Sequence, residues 1–258
     1  MKNVDHTQET IEASIFVQAW VWMQIVVHVI CGVFILSLFF PFLDRKKKNR
    51  EIQLWSKKLL RILNVKLVVS APESYGHTPC LLASNHISWL DIHVINAFKP
   101  IRFVAKSEVK NWPVFGWMAS QLGTVFIRRD SSRHARQVVH QMAEVLQAES
   151  ICIFPEGTSS NGEHVLPFKP NLFESAIASR VTVFPLALQY IAKSTGLRSD
   201  APAFIGDMGL LESMSRVIKH RSLIAKITIL SPYLTDSRSD FDRKELADYC
   251  QKSIANGL

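Results

Sequence analysis

The sequence predicts an α/β domain, a mostly parallel mixed sheet of about seven strands flanked by helices, behind an N-terminal membrane-embedded helical segment. After residue 64, short apolar runs rich in β-branched residues alternate with stretches of helical periodicity. This alternation is typical of a parallel sheet. Before it lies a long apolar run without charge, at residues 13–43. A chain of 258 residues is also long enough to bury a sizeable core.

Individual elements follow from local patterns. Seven runs predict strands, at Val65–Ser70, Cys80–Ser84, Ile101–Ala105, Thr124–Arg128, Ile151–Phe154, Thr182–Gln189 and Ala225–Leu230. Helical periodicity covers residues 89–98, 108–120, 131–148, 171–179 and 241–255. The polar segments SNHISWLD (84–91) and FPEGTSS (154–160) each come directly after a predicted strand. Ligands of parallel sheets collect at the carboxyl ends of strands, so both segments are expected at the functional site.

Residues 13–43 contain no Asp, Glu, Lys or Arg. As one helix they would extend roughly 45 Å, compared with roughly 30 Å for a bilayer core. They predict either a tilted transmembrane helix or two shorter helices in one leaflet, bending near Gly32 or Pro41. A cleaved signal peptide is disfavoured, because the run is long and acidic residues precede it. We therefore predict a membrane anchor at 1–44.

A basic segment follows at once. Residues 45–66 hold nine Lys or Arg and one acidic residue, which accounts for the whole net charge of +8. Such a segment beside an apolar run marks the cytoplasmic side and favours anionic lipid over nucleic acid. Four apolar residues share one helical face, Ile52, Trp55, Leu59 and Ile62. This predicts an interfacial amphipathic helix at 45–64 before an α/β domain at 65–258, with a helix packed on the protein as the alternative.

The remaining composition bears on cofactors. The four cysteines form no C-x-x-C pair, which disfavours a disulfide framework or a zinc knuckle. The sequence contains no nucleotide-binding loop. We predict neither a metal ion nor a bound cofactor.

His86 and Asp91 are the candidate catalytic pair. A turn leading from a strand into a helix brings residues at this spacing together. A carboxylate bonded to one imidazole nitrogen fixes the tautomer and leaves the other nitrogen free to remove a proton from a hydroxyl.

Three other interpretations of this segment stay open on the residues alone. One is a helix cap without chemistry, formed by Asn85 or Ser88. Another is a metal site formed by His86, Asp91 and His93. The third is a hydrolase with Ser84 or Ser88 as nucleophile, although no G-x-S-x-G motif occurs in the chain.

Four motifs in order carry a family resemblance. They are N-H-x4-D at 85–91, GTVFIRR at 123–129, FPEGT at 154–158 and VFPLA at 183–187. Their order, spacing and strand context resemble the glycerolipid acyltransferases, in particular the bacterial 1-acylglycerol-3-phosphate acyltransferases. The resemblance implies a bacterial inner-membrane enzyme with its catalytic domain on the cytoplasmic side. It would transfer a fatty acyl group from acyl-CoA or acyl carrier protein to the free hydroxyl of 1-acyl-sn-glycerol-3-phosphate.

The resemblance also implies residue roles. His86 would be the general base and Asp91 would orient it. The residues implied in substrate binding are Asn85, Lys106, Gly123, Arg128, Arg129, Glu156, Gly157, Thr158 and Lys169. Arg129 in particular would bind the acceptor phosphate, for which a guanidinium is well suited. The residues implied in the acyl-chain wall are Phe184, Pro185 and Leu186.

One position departs from the family pattern. The third motif commonly reads FPEGTRS, whereas Ser159 stands here in place of the arginine. The substitution removes a cation expected near the acceptor phosphate. The form FPEGTSS followed by LPFK resembles acyltransferases that act on other lysolipids, such as lyso-ornithine lipid or lysophosphatidylcholine. These acceptors are therefore the alternative to lysophosphatidate.

Two further alternatives belong to other functional classes. One is a thioesterase that uses the same His-Asp pair, and the other is a lipid-binding scaffold without catalytic activity.

Overall fold

A seven-stranded sheet forms the centre of the structure, a computed structural model that describes residues 12–73, 75–76, 79–127, 132–235 and 242–258. The strands are β1 Val65–Ser70, β2 Leu81–Ser84, β3 Arg102–Lys106, β4 Val125–Ile127, β5 Ile151–Ile153, β6 Val183–Ala192 and β7 Leu223–Ile229. Their order is β1-β7-β6-β2-β5-β3-β4. Of the pairings between these strands, β6 with β7 is antiparallel and the others are parallel. The predicted mostly parallel sheet of about seven strands is confirmed.

Helices cover both faces of the sheet. They are α1 Ile15–Leu38, α2 Arg45–Ile62, α3 Leu90–Phe98, α4 Phe115–Gln121, α5 Ser132–Leu146, α6 Glu174–Ser179, α7 Leu210–Lys219 and α8 Arg243–Gly257. Strand β2 shows why both faces are apolar, since successive side chains alternate between them. Leu82 packs with residues of α2, α3 and α7, whereas Leu81 packs with residues of α5, α6 and α8. Because all of β2 is buried, the residues that follow it enter the site from a rigid strand.

The N-terminal segment is a helical hairpin. Helix α1 has 24 residues, which corresponds to about 36 Å, and it continues without a break through Gly32. The chain turns in a short 3-10 helix at Phe40–Phe42, which contains Pro41. Of the described helices, α1 is the one that is long and apolar enough to cross a membrane. Large apolar side chains are exposed along it, including Phe16, Trp20 and Phe34.

Helix α2 packs its apolar face on the protein. Leu59 and Ile62 on this face are buried, and Trp55 is partly buried against the same core. The side chain of Gln53 donates to the carbonyl of Phe98 at the end of α3, at 2.8 Å. The basic side chains of the helix are exposed, namely Arg50, Lys57, Lys58 and Arg61. The structure therefore shows the apolar face of α2 packed on the protein and its basic side exposed, and the interfacial position of the helix stays a prediction.

Two stretches differ from the predicted elements. The predicted helix at 108–120 is interrupted, because a 3-10 helix ends at Asn111 and Pro113 precedes the start of α4. Between them Val114 has φ +62°, a strained conformation for a β-branched residue. Helix α7 was not predicted, although its buried residues Met214, Val217 and Ile218 have helical spacing.

An ion-pair cluster attaches the helical hairpin to the α/β domain. Arg45, at the start of α2, forms an ion pair with the carboxylate of Glu149. Arg102 on β3 donates two hydrogen bonds to the same carboxylate, at 3.0 and 2.6 Å. Burial and the neighbouring charge of Arg102 lower the pKa of Arg45. Glu149 is therefore the anion that keeps these two cations together.

We expect the substitution Glu149→Gln to lower the free energy of unfolding by about 1–3 kcal/mol, because two partly buried guanidinium groups lose their counter-charge. Chemical denaturation in detergent measures this change. The matched control is Glu163→Gln, whose carboxylate is exposed and lies 4.0 Å from Arg198. The control should cost no more than about 1 kcal/mol. Equal effects of the two substitutions would show that the cluster does not hold the hairpin.

Candidate active site

Asn85 fixes the loop that leads from β2 into α3. Its side-chain amide donates to the carbonyl of Leu188 at 3.0 Å, and its oxygen accepts from the Leu188 N–H at 2.8 Å. The side chain thereby continues the pairing of β2 with β6 by one more step. Asn85 is 1% exposed, so its buried amide positions the loop that carries His86.

His86 and Asp91 form the centre of the site. The Nδ1 of His86 lies 2.7 Å from the Oδ2 of Asp91. The same oxygen accepts from the backbone N–H groups of Ile87 at 2.7 Å and Ser88 at 2.9 Å. The other carboxylate oxygen accepts from the Tyr190 hydroxyl at 2.8 Å. Asp91 is 0% exposed, whereas the His86 side chain is 21% exposed, so the pair presents the imidazole and conceals the carboxylate.

Tyr190 is a site residue that the sequence analysis did not find. It is fully buried on β6, and its partner Asp91 lies 99 residues earlier in the chain. Burial and then the Asp91 carboxylate raise the pKa of Tyr190 well above its ordinary value. The phenol therefore stays protonated and donates to the carboxylate. No local pattern in the sequence indicates this pair, because only the pairing of β6 with β2 brings it together.

Glu156 holds the backbone around the site. One of its oxygens accepts from the His86 N–H at 2.7 Å and the other from the Leu166 N–H at 3.0 Å. Burial raises the pKa of Glu156, and these two donors oppose the rise. The Ser160 N–H donates to the His86 carbonyl at 2.8 Å, and the ring of Phe154 stacks on the imidazole at 4.0 Å. The FPEGTSS segment therefore supports His86 directly.

The imidazole lines a cavity of about 840 Å³. Residues of α1, α2, α3 and α4 form a large part of its wall, and they are mainly apolar. Five of the residues predicted in the site line this cavity, namely His86, Lys106, Gly157, Thr158 and Lys169. A single apolar space thus reaches from the helical hairpin to the His-Asp pair, and lysine residues belong to its wall.

Other predicted site residues lie elsewhere. Gly123 has φ +79°, and a Cβ added there would lie 2.9 Å from the Arg102 guanidinium. Three residues predicted in the acyl-chain wall are buried in β6 and are not among the residues that line the cavity, namely Phe184, Pro185 and Leu186. Arg128 and Arg129 lie outside the described residues.

The side chains that could serve as the nucleophile of a hydrolase are hydrogen-bonded to the backbone or fully buried. The Ser84 hydroxyl donates to the carbonyl of Asn85 at 2.8 Å, and the Ser88 hydroxyl accepts from the Leu90 N–H at 3.2 Å. Cys152 is completely buried, and burial raises the pKa of its thiol well above the ordinary value. Within the described residues, no group of three or more His, Cys, Asp or Glu is placed to hold a metal ion.

Comparison with known proteins identifies the family. A family model described as Acyltransferase matches residues 64–189, which include all four motifs. A 1-acyl-sn-glycerol-3-phosphate acyltransferase of Neisseria gonorrhoeae is 36% identical over 210 residues, which cover 81% of each chain. The chain belongs to the acyltransferase family. The family resemblance predicted from the motifs is thereby confirmed.

Two further relatives place this acyltransferase more closely. A lyso-ornithine lipid O-acyltransferase of Pseudomonas aeruginosa is 35% identical over 214 residues, covering 82% of this chain and 79% of the relative. The crystal structure of the 1-acyl-sn-glycerophosphate acyltransferase from Thermotoga maritima superposes with a TM-score of 0.67 at 24% identity, covering 94% and 93% of the chains. The solved structure shows that the two proteins share their fold.

We expect the substitution Tyr190→Phe to lower kcat of this acyltransferase about tenfold or more, since it leaves one oxygen of a buried carboxylate unpaired. Initial rates of acyl transfer to a lysolipid measure the effect. The matched control is Tyr249→Phe, which removes a hydroxyl that donates to the Ser231 carbonyl at the surface. If both variants were as active as the wild type, the Tyr190 hydrogen bond would not position the pair.

Proposed function

We propose that this acyltransferase moves a fatty acyl group from an acyl thioester to the free hydroxyl of a lysolipid, with His86 as general base. The observation that carries the proposal is the 2.7 Å contact between His86 Nδ1 and Asp91 Oδ2 at the wall of an apolar cavity. A hydrocarbon chain suits the apolar part of this space. The base stands where the reacting end of such a chain would lie.

The reaction follows from the orientation of the imidazole. Asp91 accepts the proton of Nδ1, so Nε2 carries the basic lone pair. Nε2 removes the proton of the acceptor hydroxyl while the hydroxyl oxygen attacks the thioester carbonyl carbon. A C–O ester bond forms and the C–S bond breaks. The proton held on Nε2 then passes to the departing sulfur, which leaves as a thiol. Much of the rate would come from holding hydroxyl, thioester and imidazole together.

The acyl donor in this proposal is acyl-CoA or acyl carrier protein, and no cofactor takes part. Both donors present the same thioester to His86 and leave as a thiol. The buried Cys152 has no role in the transfer, since the acyl group passes directly to the acceptor.

The acceptor we propose is 1-acyl-sn-glycerol-3-phosphate, with lyso-ornithine lipid as the second candidate. Relatives named for these two activities have 36% and 35% identity to this chain, so overall similarity does not separate them. The site differs from the common motif at Ser159, whose hydroxyl donates to the Phe204 carbonyl and so supplies no cation. Lys106 and Lys169 in the cavity wall are the cations we assign to the phosphate, together with the predicted Arg129.

We also propose that the protein lies on the cytoplasmic side of a bacterial membrane with α1 in the lipid. Exposed apolar residues also occur in or just before two helices that contact α1, at Val114 and Trp117 for α4 and at Ile205 and Leu211 for α7, which supports a common surface. Trp112 and Phe204 from the same two segments contact each other, with ring centroids 6.5 Å apart, and both line the cavity. Lysolipid would then enter the cavity from the bilayer.

We expect purified enzyme to release thiol from an acyl thioester when lysophosphatidate is supplied, and His86→Ala to abolish this turnover while lipid binding persists. Lyso-ornithine lipid, lysophosphatidylcholine and a sample without acceptor complete the panel. If the enzyme acylated only another lysolipid of the panel, that lysolipid would replace lysophosphatidate as the proposed acceptor. Thiol release that needs no acceptor would indicate a thioesterase. Wild-type rates in His86→Ala would refute the base assignment.

We expect replacement of Lys57, Lys58 and Arg61 by Gln to weaken binding to anionic vesicles by about tenfold or more, since each basic residue near such a surface contributes about 1 kcal/mol. Co-sedimentation with vesicles of varied phosphatidylserine content measures it. The matched control is Lys252→Gln, an exposed residue on α8 at the other face of the sheet. Equal binding of all variants would show that α2 does not meet lipid headgroups.

A further inference from the structure

Three polar groups in the cavity wall have no hydrogen-bond partner. In the described residues, the buried atoms without a partner include His28 Nε2, Asn49 Oδ1 and His93 Nδ1. All three residues line the cavity that contains His86. An unpartnered buried polar group is uncommon in folded proteins and costs about 1–3 kcal/mol. Three of them in the lining of one cavity point to a ligand.

The two imidazoles lie against the same indole ring. The ring of His28 on α1 stacks on Trp55 of α2, with centroids 4.3 Å apart and planes 18° apart. The ring of His93 on α3 lies 5.3 Å from the same indole and 5.9 Å from Trp89. Three helices thus hold the imidazoles rigidly.

Neighbouring groups do not satisfy these imidazoles. The Trp55 indole N–H donates to the backbone carbonyl of His28 at 3.4 Å. The Trp89 indole N–H donates to the Ser213 hydroxyl at 3.1 Å. Both indole N–H groups therefore donate to other acceptors. The indole rings contact the imidazoles through packing and form no hydrogen bond with them.

The chemistry of the two imidazoles suits an uncharged ligand group. Burial lowers the pKa of His93 to about 4, so its ring is neutral near pH 7. A neutral imidazole donates from one nitrogen and accepts at the other. A hydroxyl also donates and accepts. A hydroxyl can therefore pair with either imidazole and brings no charge into the buried wall.

We propose that His28 and His93 bind a hydroxyl group on the hydrocarbon chain of a substrate, so that the cavity selects a hydroxylated acyl chain. The proposal rests on the proposed transferase function, because it concerns the chain that occupies the same cavity. Apolar neighbours in the wall, such as Ile25 and Val29, accommodate the methylene groups on either side of the hydroxyl. An unsubstituted chain would leave the imidazole nitrogens unpaired. Asn49 lies nearer the N-terminus of α2 than Trp55, about 9 Å away along the helix axis, and it offers a second polar contact.

The first test compares chains of equal length in the full-length protein. The donors are acyl-CoA thioesters that are unsubstituted or carry a hydroxyl at the third, a middle or the terminal carbon. We expect one hydroxyl position to raise kcat/KM at least about tenfold over the unsubstituted donor. A second arm pairs an unsubstituted donor with lysolipids whose own chain carries the hydroxyl, which tells whether the donor or the acceptor chain occupies this wall.

Variants then assign the preference to the imidazoles. His28→Phe and His93→Phe keep an aromatic ring beside Trp55 and remove the polar atoms. For either variant, we expect kcat/KM for the hydroxylated chain to become nearly equal to kcat/KM for the unsubstituted chain. The matched control is His140→Phe, whose side chain is 78% exposed on α5, and it should keep the wild-type ratio. An unchanged ratio in both cavity variants would overturn the proposal.

A binding measurement separates this inference from the proposed function. Free hydroxylated and unsubstituted fatty acids are titrated against the protein, and the tryptophan fluorescence is followed, since Trp55 and Trp89 contact the imidazoles. We expect a Kd about tenfold lower for the hydroxylated chain, with or without transfer activity. Equal Kd values at every hydroxyl position would refute the imidazole site. Tighter hydroxylated binding without any acyl transfer would instead refute the transferase and keep the site.

Discussion

The carboxylate of Asp91 is completely buried, and burying a charge is costly unless the protein supplies hydrogen bonds. Four donors meet it, from the imidazole of His86, two backbone N–H groups and the hydroxyl of Tyr190. Three of these donors come from the turn after β2, at His86, Ile87 and Ser88, and the fourth comes from the neighbouring strand β6. The orientation of the base therefore depends on the whole centre of the sheet being formed.

The second constraint is that one cavity is shared between the helical hairpin and the α/β domain. Helices α1 and α2 supply much of its apolar wall, while His86 and the FPEGTSS segment supply its polar part. The Arg45–Glu149–Arg102 cluster attaches the hairpin at the β3 side of the sheet. The hairpin is therefore part of the wall of this cavity and not a separate appendage of the α/β domain.

The sequence allowed a good prediction of the sheet and of the His-Asp pair, because both depend on local patterns. Apolar runs marked six of the seven strands to within one or two residues, and β6 extended three residues beyond its predicted end. The motif around His86 and Asp91 predicted a contact that a tight turn after a strand produces. The family resemblance came from four such local motifs and was confirmed by the comparisons.

Contacts between distant segments were not predictable in this way. The bond from Tyr190 to Asp91 depends on the neighbouring positions of β6 and β2. The acyl-chain wall predicted at Phe184–Leu186 lies buried in β6, outside the residues that line the cavity with His86, and that role stays a prediction. An apolar strand and an apolar binding wall look alike in a sequence. Helix α7 was missed although its apolar spacing is helical, and the helix at 108–120 was predicted across Pro113.

The most direct test of the account is a double-mutant cycle on the catalytic pair. It measures kcat/KM for acyl transfer in His86→Ala, in Asp91→Asn and in the variant with both substitutions. If Asp91 acts by orienting His86, Asp91→Asn alone should lower the rate by about 10³–10⁴, and adding it to His86→Ala should change little. A double variant slower than His86→Ala by the full factor of Asp91→Asn would contradict the account, because Asp91 would then act independently of the imidazole.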